Sequence, residues 1–314
     1  MITSFKLPLV FIFTVTIFGF LITFITFGNF CESKLFKHLQ IREEIRPFFP
    51  ADCLDIAFDE TDKSSSNKNE AIINVAIPVT ATGGHVAFVP DLIESAKQYL
   101  LSSVPLKKIY NVTFLIFTDN EAYITDHFGN DTRNIVFITQ QSHGWRLDNL
   151  DRYSNYLENV ELFKPFDFVV SMQPQMRFIA PVGGEILGDL FAGLHHAFYN
   201  ISNPLKFPYE RRRHLCASIP SGRGLHYYQS SFFGGKTGHF LKLVCTIHKC
   251  LQRDYKSEGK KAIERIQDES YLNRFLLEHN PTTILNSGYG WPAGFHRPNF
   301  KVKIEVINVG IEHS

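Results

Sequence analysis

Three stretches carry side chains able to do chemistry. Asp268-Glu269-Ser270 places two adjacent carboxylates ahead of an apolar run, Tyr271, Leu272, Phe275, Leu276 and Leu277. Paired carboxylates can act as acid, base or nucleophile, yet acidic residues also favour ordinary helix starts, where the macrodipole stabilises them. Phe207-Pro208-Tyr209-Glu210 runs into Arg211-Arg212-Arg213, a basic cluster beside aromatic rings. Tyr227-Tyr228-Gln229-Ser230-Ser231-Phe232-Phe233-Gly234-Gly235 mixes aromatics, small polar side chains and a diglycine, a composition that lets a ligand approach the backbone. His195, with Phe198 and Tyr199 nearby, reads from these residues alone as a core or surface histidine in an aromatic patch.

An alternation of strands and helices must position these groups. Ala71–Val79, Val112–Asp119, Ile135–Ile138 and Phe166–Met172 are apolar runs of strand length. Helical patterns over Val89–Leu101 and near Leu150–Leu162 separate them, which predicts an α/β domain with a mostly parallel sheet. Ligands of such sheets bind beyond the carboxyl ends of the strands. That rule gathers Thr82-Gly83-Gly84, Asp119 and Gln173-Pro174-Gln175 around one crevice.

Ahead of the domain, Leu7–Gly28 holds no charged residue and is long enough for a membrane-spanning helix. It exceeds the apolar region of a cleaved signal peptide and lacks a small-residue cleavage site, so an uncleaved signal anchor is expected. Residues 1–6 then form a short tail, and 29–70 a polar stem ending in the serine-rich Thr61–Glu70. The sequons at Asn111, Asn130 and Asn200 all follow the anchor. A net charge of +1 points to no nucleic-acid partner. The five cysteines lack zinc spacing. We read them as buried thiols, with a Cys245–Cys250 bridge as the alternative.

The second half also holds an ordered set of short motifs. These are Val182-Gly183-Gly184-Glu185-Ile186-Leu187, Leu194-His195 with Phe198-Tyr199, Tyr209-Glu210-Arg211-Arg212, Ile219-Pro220 and Tyr227-Tyr228. Phe233-Gly234-Gly235, Asp268-Glu269-Ser270 with Leu272-Asn273, Pro281-Thr282 and Gly290-Trp291-Pro292-Ala293 complete it. With this set the chain from about Ala71 resembles glycosyltransferase family 6, the histo-blood-group A/B transferases and α1,3-galactosyltransferases.

The resemblance implies a GT-A-type, Rossmann-like mixed-sheet domain over 71–314 in a type II Golgi membrane protein. It implies retaining transfer of galactose or N-acetylgalactosamine from a UDP-sugar to an acceptor on a glycolipid or glycoprotein. The family's catalytic glutamate falls on Glu269, beside Asp268 in the donor site. Its donor-contacting arginine falls on Arg152, following Trp145, and its acceptor-touching histidine on His195. Gln229 and Ser231 occupy the positions that select the donor sugar, neither being the residue usual in A or B transferases.

The family's Mn²⁺-binding Asp-X-Asp falls on Gln173-Pro174-Gln175, so no metal is expected there: hard cations want anionic oxygens and amides are neutral. The family's tail cations fall on Glu305 and Ile311, and its uracil-side tyrosine on Gly84. An acceptor-binding aspartate before Gly-Trp-Pro-Ala has no counterpart. Arg152, Lys236 and Arg223 are the candidates to neutralise phosphate. The favoured reading is a metal-independent transferase. The alternative is a catalytically silent glycan-binding or chaperone-like member.

Overall fold

The computed structural model describes residue 53 and residues 71–102, 108–259 and 266–307. The expected tail, the span at 7–28, Ile311 and all of the stem but Cys53 lie outside the described residues. Among the described residues no helix is long and apolar enough to cross a membrane.

The strands are β1 (Ala71–Ala81), β2 (Lys108–Thr118), β3 (Ile135–Thr139), β4 (Phe168–Met172) and β5 (Met176–Phe178). They continue as β6 (Leu190–Leu194), β7 (Tyr228–Lys236), β8 (Thr283–Leu285), β9 (Tyr289–Pro292) and β10 (Ile304–Val306). The helices are α1 (Val89–Tyr99), α2 (Glu121–Phe128), α3 (Trp145–Glu158), α4 (Thr237–Glu258) and α5 (Asp268–Glu278). A seven-stranded sheet runs β3-β2-β1-β4-β7-β6-β8, and a three-stranded sheet runs β5-β10-β9.

The four apolar runs expected as strands are the parallel half of the main sheet, with β1 between β2 and β4. Alternating side chains of β1 feed both layers: Val75, Ile77 and Val79 pack towards α1, and Ala76 towards α3 and α4. Beyond β4 the sheet is antiparallel, β7 pairing with both β4 and β6. At the far edge β8 returns parallel to β6, so the sheet is mixed, in keeping with a GT-A-like fold.

β7 corrects the ligand-approach reading of the diglycine. All its residues but Lys236 are buried, and a Cβ on Gly234 would stand 2.1 Å from the Val169 carbonyl oxygen. On Gly235 it would stand 2.2 Å from the Asp189 carbonyl oxygen. The diglycine lets β7 close against its neighbours.

The basic cluster is likewise structural. Arg211 donates Nη1 to the carbonyls of Ile219 (2.8 Å) and Pro220 (2.9 Å), and Nη2 to that of Pro204 (2.9 Å). Arg212 pairs with Glu210 at 2.7 Å. These clamps hold a small aromatic core of Phe207, Tyr209 and Tyr227.

Four cysteines form two disulfides, Cys53–Cys245 and Cys216–Cys250, which overturns the buried-thiol reading and the Cys245–Cys250 alternative. α4 presents its two cysteines to different partners, one of them in the stretch read as stem. No sequence spacing reports such pairings.

Candidate active site

The first turn of α5 carries Asp268 and Glu269, where the helix dipole favours negative charge. Two neighbours fix Glu269. The Tyr227 hydroxyl donates to Oε2 at 3.1 Å, and the Ser230 backbone N–H to Oε1 at 3.3 Å. Asn273, one turn along α5, donates to the Glu269 and Tyr228 carbonyls (2.8 Å each) and accepts the Tyr228 N–H at 2.9 Å. That clasp sets the register between α5 and β7. The Glu269 side chain remains 17 % exposed, so it is sheltered yet reachable.

Burial and the adjacent Asp268 charge push the Glu269 carboxyl up to about 7, against the pull of Tyr227, Ser230 and Arg152. Burial, together with His196, lowers the His195 imidazole to about 4. The Ala197 N–H donates to His195 Nδ1 at 3.1 Å, which leaves the neutral ring its proton on Nε2. Nε2 stands 3.9 Å from Glu269 Oε1. Near neutrality this contact is a polar group facing a carboxyl, with no ion pair.

Asp268 receives the buried guanidinium of Arg152 on Oδ2 at 2.6 Å. Arg152 Nη2 also donates to Tyr153 (3.1 Å), and the guanidinium lies over the Tyr153 and Phe233 rings. At 2 % exposure, Arg152 orients Asp268 from behind the site.

The amides form a second cluster. Gln173 takes the Ser231 carbonyl through its backbone N–H (3.0 Å) and reaches Asn149 through Nε2 (3.5 Å). Gln175 Nε2 donates to Gln173 Oε1 at 3.3 Å, and Gln175 Oε1 is buried with no hydrogen-bond partner. Gln229 is wedged between Gly193 and Gly290, donating to the Tyr289 carbonyl (3.1 Å) and accepting from Ser231 Oγ (2.8 Å). The catalytic, donor and acceptor candidates thus fall into two groups near the β7 start, Glu269–His195–Asp268–Arg152 and Gln173–Gln175–Gln229–Ser231.

This donor set does not fit Mn²⁺. Its side-chain oxygens are neutral amides and a hydroxyl, and Gln173 Oε1 already accepts an amide N–H. Glu305 is also no bare negative charge: Arg177 (3.1 Å) and Arg297 (2.6 Å) neutralise it within the small sheet. Lys236 drops out as a phosphate partner. It ends β7 opposite Phe168, the first residue of β4, and pairs with Asp189 at 2.9 Å. It lies five positions along an extended strand from Ser231, roughly 17 Å. Arg223 sits on an exposed loop before Tyr227.

At the far side of the crevice, Gly83 N–H caps Asp119 (3.0 Å) and Thr82 donates to Asp148 (2.6 Å). Beside Gly84, where a Cβ would meet open space, His85 stacks on Trp145 at 3.9 Å. From the sequence alone these rings are not paired, and the stretches holding Tyr227, Ser230 and Asn273 stand out without giving those residues a site role. Asn273 stands one helical turn from Glu269, a spacing that puts the two on one face of α5.

The mixed sheet thus brings the carboxylate pair of α5 and the amides beside β4 and β7 towards one another. The profile of glycosyltransferase family 6 matches residues 55–314, and the chain belongs to that family. Human globoside alpha-1,3-N-acetylgalactosaminyltransferase 1 is 28 % identical over 222 residues, 70 % of this chain and 61 % of that protein. Rat histo-blood group ABO system transferase 2 is 30 % identical over 220 residues, 69 % of this chain and 63 % of that protein. The glycosyltransferase 6 domain-containing protein 1 of Macaca fascicularis is 28 % identical over 230 residues, with 72 % and 71 % covered. The match thus spans 61 % and 63 % of the first two relatives' lengths.

Proposed function

We propose that the chain is a retaining glycosyltransferase that moves galactose or N-acetylgalactosamine from a UDP-sugar to a glycan acceptor without a tightly held metal ion. The observation that carries this is Glu269, a sheltered carboxylate held by Tyr227 and the Ser230 N–H in a family 6 domain. Retention needs a carboxylate on the sugar face opposite the leaving group, as nucleophile or as stabiliser of oxocarbenium charge. Glu269 fills that role when ionised. His195 faces it with a neutral Nε2–H that orients an acceptor hydroxyl. Arg152 acts by holding Asp268, and Gln229 with Ser231 forms the wall the sugar meets.

Diphosphate charge is met by hydrogen-bond donors in this reading. Each amide nitrogen of Gln173 and Gln175 carries two N–H bonds, and each gives one to a neighbour in the cluster. The membrane anchor at 7–28 and a Golgi location complete the proposal.

A silent glycan-binding member is the second reading. It is favoured by the engagement of Arg152, whose Nη2 is already committed to Asp268 and Tyr153. Hydrolysis of UDP-galactose and UDP-N-acetylgalactosamine by the full chain, with Mn²⁺ and with chelator, separates the two. Release of UDP that survives chelation is expected. Absence of UDP-sugar binding in both conditions overturns the transferase.

A further inference from the structure

We infer that Asn111 carries an N-linked glycan, and that this glycan covers an apolar pair on the sheet surface. Ile72 and Ile109 are register partners across β1 and β2, and they are 57 % and 51 % exposed. The next pair on the same face is Asn74 and Asn111, because side chains alternate along a strand. Further along, that face carries Ala76, Leu115 and Phe117, all buried in the core formed with α3 and α4. Among the described residues only its beginning is left uncovered: two large aliphatic side chains stand exposed, with an exposed sequon asparagine one pleat away.

The local geometry suits the modification. Asn111 Nδ2 donates one hydrogen to Asn74 Oδ1 at 3.1 Å. An amide nitrogen has two hydrogens, and N-glycosylation replaces one. In that step Nδ2 bonds to the anomeric carbon of a lipid-diphosphate-linked oligosaccharide. The carbon–oxygen bond to the diphosphate breaks, and one amide proton leaves to a base of the transferring enzyme. The remaining N–H keeps its bond to Asn74, which sets the glycan stem beside the isoleucines. Thr113 completes the sequon.

A second observation supports the compartment. The Cys53–Cys245 and Cys216–Cys250 disulfides require an oxidising environment, the setting in which sequons are used. Asn130 and Asn200 are also exposed and serve as internal comparisons. The inference does not depend on whether Glu269 turns over a donor.

The test is expression of the full chain in a eukaryotic secretory host, then enzymatic glycan release in heavy-oxygen water and peptide mass spectrometry. The expected result is labelled aspartate at position 111 in most molecules. Unmodified Asn111 as the main species overturns the proposal. Asn111→Gln should then raise binding of an apolar-surface dye about twofold, while Asn130→Gln and Asn200→Gln do not. Equal dye binding by all three variants overturns the covering role.

Discussion

Tyr227 reaches Glu269 from the start of β7, its hydroxyl donating to Oε2 at 3.1 Å. Burial and the carboxyl it serves hold its own proton in place, raising the phenol above its ordinary range. Tyr227 is therefore a fixed donor that favours the ionised carboxylate. Tyr227→Phe removes it, and the apparent pKa of turnover should rise by roughly half to one unit. A pH–rate profile checks this: activity lost near neutrality returns at alkaline pH. A uniform loss at every pH assigns Tyr227 to packing alone.

Stability and turnover should respond to pH in opposite senses through Glu269. Its carboxyl is raised from 4.5 to about 7. The protonated form is thus favoured on folding, giving a contribution that is full below 4.5 and lost as pH rises through about 7. Turnover needs the ionised form and climbs through the same window. His195, lowered from 6.5 to about 4, contributes oppositely, its share present above 6.5 and lost as pH falls through about 4. The difference between the native protein and Glu269→Gln in denaturant melts isolates the carboxyl, and the variant should lose the downward slope.

Breaking the buried pair should cost more than removing it. Asp268→Ala strands the Arg152 guanidinium, which is 2 % exposed, and should destabilise by about 3–5 kcal/mol. Arg152→Met with Asp268→Leu should recover most of that loss in urea unfolding, while activity stays low because the carboxylate beside Glu269 is gone.

Gln229 should be size-locked. A Cβ on Gly290 would stand 2.1 Å from its Oε1. Gly290→Ala should destabilise by about 1–3 kcal/mol, and Gln229→Ala in the same chain should relieve it. Additive losses in thermal melts would show the two residues to be uncoupled.

What the sequence made legible follows from how far each signal travels along the chain. Over their buried stretches the parallel strands β1, β2 and β4 are continuous apolar runs covered on both faces, so Val112–Asp119 and Phe166–Met172 announce themselves. β7 does not: Gln229, Ser230 and Ser231 are polar, and become buried only because β4, β6 and α5 converge on them. Glu269, His195 and Arg152 were found through ordered motifs. Tyr227 and Asn273 stood in those motifs too, but their contacts to Glu269 and Tyr228 exist only because α5 docks on β7. The disulfides were beyond reach for the same reason, since 192 residues separate Cys53 from Cys245. Glu305 shows the reverse error. A carboxylate in a tail expected to carry cations reads as repulsion until Arg177 and Arg297 are seen around it.

We propose Glu269 as the reacting carboxylate of a metal-independent donor site. The most direct measurement is turnover and UDP-sugar affinity of Glu269→Gln beside the native chain, in chelator. The account predicts turnover reduced by about 10²-fold or more with affinity within a few-fold of native, because the amide keeps the shape and loses the charge. Equal turnover by the two proteins would contradict it.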